Sequence, residues 1–166
     1  MILGMSLSTF TTVHVVISLV AIASGLIAVF AIVAGRKLDG WTALFLATTI
    51  LTSVTGFFFP FVQLLPSHIL GIISLVVLAV ACVALYLCRL AGAWRWIYVV
   101  GAVLALYLNV FVAIVQAFQK VPALHALAPT QSEPPFLVTQ LVVLAIFVIL
   151  GALGVKRFHA EARALA

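Results

Sequence analysis

The polar residues of this chain fall in a few short clusters, and the apolar stretches between them are too long for the core of a small soluble domain. Five stretches reach the roughly 20 residues that an α-helix needs to cross about 30 Å of hydrocarbon: residues 12–34, 41–61, 67–88, 96–118 and 136–155. Inside lipid a segment must satisfy its own backbone hydrogen bonds, so each stretch is predicted as a helix. The separators carry turn chemistry. Gly35-Arg36-Lys37-Leu38-Asp39-Gly40 is a tight polar turn, Pro60 and Pro66 bracket the second connection, and Ser67 is placed to cap the third helix. Residues 119–135 form the one long loop; its Pro134 and Pro135 stand where prolines open a helix without breaking it. The expected architecture is an all-α membrane protein, a single integral membrane domain with five transmembrane helices.

Composition agrees with lipid as the solvent. Of 166 residues, 67% are hydrophobic and 7% charged, against about 25% charged in soluble domains. The net charge of +5 makes no nucleic-acid surface, because the basic residues are scattered between apolar runs rather than gathered in a stripe. They report orientation instead. With the N-terminus outside, Arg36, Lys37, Arg89, Arg95, Lys156, Arg157 and Arg163 fall in the cytoplasm and only Lys120 falls outside, as the positive-inside rule requires. Trp41, Trp94 and Trp96 then sit at the inner interface, and Phe57, Phe58, Phe59 and Phe61 near the outer one. Residues 1–10 carry no positive charge, so no cleavable signal is expected. Cys82 and Cys88 are about 240° apart around a helix and read as buried apolar thiols rather than a redox or metal pair.

A shift of 54 residues lays His14 on His68, Thr55 on Asn109, the first loop on the third and the second helix on the fourth. The first four helices are therefore expected as a pseudo-twofold up-down bundle of two tandem helix pairs, with the fifth helix added. His14 and His68 open the first and third helices at one depth on the outer side. Ionisable groups at membrane depth are costly and mark function. In an up-down bundle those two helices lie on a diagonal of about 12–14 Å, given neighbouring axes about 8–10 Å apart. That span suits two imidazoles gripping a flat cofactor such as haem b, and it is too wide for a small ion held by His14 and His68 without further ligands. Below His14 come Ser18, Ala21, Gly25 and Ala28, and below His68 come Gly71, Leu75, Ala79 and Cys82. Small residues leave room for a cofactor, or let helices approach closely. An interfacial histidine can equally meet only water or a backbone carbonyl.

Further polar groups gather in the outer half. Thr55, Asn109 and Gln116 are expected to line the pocket, with Gln63, Gln140, His125 and Glu133 near its rim. The ordinary alternative for Thr55 and Asn109 is a hydrogen bond to a neighbouring helix. Thr48, Thr49, Thr52 and Ser53 are expected to bond back to their own helix. Glu133 either complements the dipole of the fifth helix or belongs to a segment, 131–133, that closes over the histidines. His159 lies in the basic tail and is expected in water. Three functions follow: an electron-transfer protein binding haem or a quinone; a non-catalytic accessory or assembly subunit of a membrane complex; and a small-solute or metal transporter. The absence of carboxylates inside the helices weighs against the third, and no phosphate-loop, zinc-protease or serine-nucleophile motif is present. Partners are the bilayer and other membrane proteins, not nucleic acid.

The outline of five spans, together with Leu65-Pro66-Ser67-His68 and the segment 131–136, resembles predicted multi-pass inner-membrane proteins of bacteria to which no function is assigned. The likeness covers most of the chain and implies an inner-membrane location but no activity. Small di-histidine membrane cytochromes are similar more loosely; the two-haem members carry two histidine pairs where this chain has one.

Overall fold

The computed structural model describes residue 2, residues 4–59 and residues 66–164, and of residues 66, 67 and 159–164 the backbone alone. The described chain is helical: α1 Leu7–Val33, α2 Asp39–Gly56, α3 Pro66–Cys82, α4 Trp94–Lys120, α5 Pro122–Leu127 and α6 Pro134–Ala164, with a π-helical turn Val83–Leu87 closing α3. Among the described residues four segments are long and apolar enough to cross a membrane: Leu7–Val33, His68–Leu87, Trp94–Lys120 and Pro134–Phe158. The second expected span is the exception. At 18 residues, α2 is about 27 Å long, and six of its residues carry hydroxyl groups, which makes it the most polar of the long helices.

Local chemistry explains where the helices begin and end. α1 starts before residue 12, because Ser6 caps it by accepting the Thr9 N–H at 3.1 Å. Thr11 and Thr12 stay helical by donating to the carbonyls of Leu7 and Ser8. Gly35, with φ +77°, takes the left-handed position after the helix. Arg36 N then reaches Ala31 O at 2.8 Å and Gly35 N reaches Ile32 O at 2.9 Å, the paired bonds of a Schellman stop. α2 ends at Gly56 rather than 61. The long loop contains the short helix α5, opened by Pro122, which no apolar periodicity signalled. α6 continues past residue 155, through Lys156 and Arg157.

The helices pack as a ring. α1 lies against α2, α2 against α3, α3 against α4 and α4 against α1; α6 sits in the groove between α1 and α4. The core is built from Val29, Phe45, Leu78, Tyr98, Val99 and Leu106. Close approach depends on small residues. A Cβ on Gly25 would stand 2.7 Å from both Leu106 Cδ1 and Phe45 Cδ2, and one on Gly101 would stand 3.1 Å from Ala81 Cβ. The small stripe below His14 therefore packs helices at this depth; it does not leave the open volume its sequence suggested. Ala79, expected on the inner face of α3, is exposed, because the buried positions of α3 run Ser74, Leu78, Ala81.

Hydrogen bonds tie α2 to all its neighbours. Ser53 donates to Ser74 of α3 at 3.1 Å, Asn109 of α4 donates to Thr49 at 3.1 Å, and His14 of α1 meets Thr55 at 2.7 Å. Of the four hydroxyl residues expected to bond back to their own helix, Thr48 does so, to Leu44 O at 2.7 Å. Thr49 and Ser53 turn across helices instead, and Thr52 Oγ1 is buried without a hydrogen-bond partner among the described residues. The cause is position: residues 49 and 53 are one turn apart on the buried face of α2, where a neighbouring polar group offers a second partner.

Candidate functional site

Both histidines lie toward the end of the bundle where α1 and α3 begin and α2 ends. His14 is the eighth residue of α1 and His68 the third of α3, so His14 lies two turns into its helix rather than at its opening. Its ring runs along the last turn of α2, with Cε1 about 4.0 Å from the position of a Cβ on Gly56. Nδ1 lies 2.7 Å from Thr55 Oγ1. The Thr55 hydroxyl proton is committed elsewhere, to Leu51 O at 2.6 Å. Its oxygen must therefore accept, and His14 Nδ1 must donate. In the neutral ring this puts the proton on Nδ1 and leaves the lone pair on Nε2.

Aromatic rings enclose both histidines. Phe59 stands edge-on to His14, with ring centroids 5.2 Å apart, and edge-on to the buried Phe10 at 5.1 Å. His68 is 5% exposed and lies 5.7 Å from Phe57. The Phe57 ring also covers Gly71, where a Cβ would meet it at 3.1 Å. Each histidine is thus held by the end of α2, His14 through Thr55 and Phe59, His68 through Phe57. Ser18 does not serve His14 as a second partner; its hydroxyl returns to the His14 carbonyl at 2.8 Å.

The other expected residues are dispersed. Asn109 is engaged with Thr49, deeper than Thr55 on α2. Gln116 is exposed on α4, and His125 is exposed on α5. Gln140 is buried, donating to Phe111 O at 3.3 Å, while its Oε1 has no partner among the described residues. Gln63 and the His159 side chain lie outside the described residues. Lys120, the last residue of α4, was not foreseen as part of the site, although its charge reaches His14; the sequence signal was a lone basic residue between the fourth and fifth expected spans.

Glu133 shapes the loop. Its carboxylate accepts from Thr130 Oγ1 at 2.8 Å, from Thr130 N–H at 3.2 Å and from Ser132 N–H at 3.1 Å. Gln131, at φ +60°, sends its amide to Val115 O at 3.0 Å, and Phe118, Ala128 and Phe136 pack together beneath. The segment is docked on α4 and the start of α6. Desolvation raises the Glu133 pKa and is the largest single effect, but the hydrogen bonds from Thr130 Oγ1 and the N–H groups of Glu133, Thr130 and Ser132 together outweigh it and hold the carboxyl below its ordinary 4.5. A folded-state pKa below the unfolded one stabilises the turn fully above the unfolded value, and that support is lost as pH falls through the folded value. Amide exchange at Thr130 and Ser132, corrected for intrinsic rates, is expected to accelerate below about pH 4.5 and to be fast at every pH in Glu133→Gln. Unchanged exchange in that variant would show that the turn does not depend on the carboxylate.

The fold and its exposed apolar helices define a helical membrane protein with both histidines at one end of the bundle. No protein-family model, curated protein or solved structure matches the chain.

Proposed function

We propose that this chain is a five-span protein of a bacterial cytoplasmic membrane, N-terminus outside and C-terminus inside, which carries electrons on a haem b gripped by His14 and His68 near the outer surface. The observation that carries this reading is the Thr55–His14 bond. A metal-binding histidine is neutral and donates its other N–H to an orienting partner, and Thr55 gives His14 that arrangement. Two imidazoles make an incomplete set for a bare ion, and no group of three or more His, Cys, Asp or Glu lies together among the described residues. A haem would bring four nitrogens of its own, and His14 and His68 would be the residues that hold it. α1 and α3 stand at opposite corners of the ring, the diagonal such a pair requires. Gly25 and Gly71 are covered, so Phe10, Phe57 and Phe59, which cluster around the two histidines, would line the group, and Lys120 would complement its negative charge. A quinone is the second occupant the pocket suits.

Purified protein loaded with haem is expected to show a Soret band that is lost in His14→Ala and in His68→Ala. Colourless protein after expression with ample haem would reject the haem reading and favour the accessory-subunit role.

The five-span topology rests on α2, which runs beside α1, bonds to three helices and is about 27 Å long. The 54-residue shift supports a pseudo-twofold relation between the first and second helix pairs. A reporter fused after Ala166 is expected to be active only as a cytoplasmic one; periplasmic activity would reverse the orientation.

A further inference from the structure

The face between α4 and α6 bears a groove of about 480 Å³, remote from the histidines. It runs from Tyr107 and Leu144 to Val100 and Lys156. From residue 144 to residue 156 the helix rises about 18 Å, close to the depth of one leaflet, half of about 30 Å. The walls are apolar along that length, and Gly151 and Ala152 make the floor low. One charge interrupts them: the exposed Lys156 lines the groove's end. Among the described residues the ion pair is Lys37–Asp39, so Lys156 meets that end without a carboxylate. Its neighbour Arg157 turns the other way, donating to Val33 O at the end of α1. Trp96 is exposed one turn before Val100 on the same face of α4, level with the basic end, where an indole favours the membrane interface.

We propose that this groove is a binding site for one anionic phospholipid, with an acyl chain lying along α4 and α6 and the phosphate held by Lys156. Charge complementarity selects the occupant. A slot one leaflet deep that ends in an ammonium with no carboxylate partner among the described residues matches a lipid carrying net negative charge, and basic pockets between transmembrane helices bind such headgroups. A zwitterionic lipid would fill the slot without satisfying the charge. A second copy of this chain would bring its own Lys156 or another apolar face to the same end.

The test uses the full-length protein in detergent with added phosphatidylglycerol or phosphatidylcholine, read by native mass spectrometry. Wild type is expected to retain one phosphatidylglycerol in preference to phosphatidylcholine. Lys156→Gln, an exposed change that leaves packing alone, should reduce that preference about fivefold, the equivalent of about 1 kcal/mol per basic group. Gly151→Leu fills the slot from below; its Cβ would stand 3.6 Å from Val103 Cγ1, an ordinary contact, so the fold survives while retention of either lipid falls. Equal retention of the two lipids by wild type, or no change in both variants, overturns the proposal. So does a disulfide between Val148→Cys copies in native membranes with no lipid retained, which would give the groove to a second copy.

Discussion

Leucine in place of Gly25 is expected to destabilise the folded protein by about 3 kcal/mol or more, the upper end of overpacking costs. The Cβ alone would lie 2.7 Å from Leu106 Cδ1 and Phe45 Cδ2 and 2.8 Å from Phe45 Cε2. Both neighbours are fully buried, so the Phe45 ring has nowhere to retreat, and α1 must move away from α2 and α4 together. Replacing glycine within a helix normally gains about 1 kcal/mol in propensity; here the clash exceeds that gain even in Gly25→Ala. Gly151→Ala is the contrast, since its Cβ meets only an ordinary contact, and it should leave the melting temperature unchanged or slightly raised. A Gly25→Leu protein that melts with wild type would show that the helices are not packed as closely as this ring requires.

The second large effect is expected at Thr55. Valine keeps the shape of threonine and removes the oxygen that accepts the His14 N–H. Without that partner the imidazole can rotate and can carry its proton on either nitrogen, so the population presenting Nε2 falls. Loss of such an orienting partner lowers affinity for a bound metal by about 10–100-fold. Haem titration of Thr55→Val is expected to show a loss in that range, and Thr55→Ser, which keeps the hydroxyl, should bind within a few-fold of wild type. Equal affinity in wild type and Thr55→Val would mean that His14 does not depend on Thr55, and the proposed ligand role would lose its support.

The sequence announced the long helices because their apolar runs exceed what a soluble core demands, and Gly35 and Pro134 marked real boundaries. It missed α5, which is six residues long and has no periodicity to read. It began α1 at residue 12 rather than 7, because the polar Ser6, Thr9 and Thr11 break the apolar run; Ser6 caps the helix and Thr9 and Thr11 satisfy their hydroxyls locally. At the site, the pairing of His14 with Thr55 was not legible: the residues are 41 positions apart, and only the hairpin of α1 and α2 brings them together. The small residues below His14 were visible, yet whether they enclose space or close it depends on Phe45 and Leu106, which arrive from other helices. The groove between α4 and α6 gave no signal, since each wall reads as an ordinary lipid-facing stripe.

If one haem is bound, His14 and His68 would both be its protein ligands. The most direct measurement is low-temperature electron paramagnetic resonance of the oxidised, haem-loaded protein. A low-spin ferric signal from two imidazole ligands is expected, converted to high-spin in both His14→Ala and His68→Ala. A low-spin signal that persists in either variant, or a wild-type protein that takes up no haem, contradicts the haem reading.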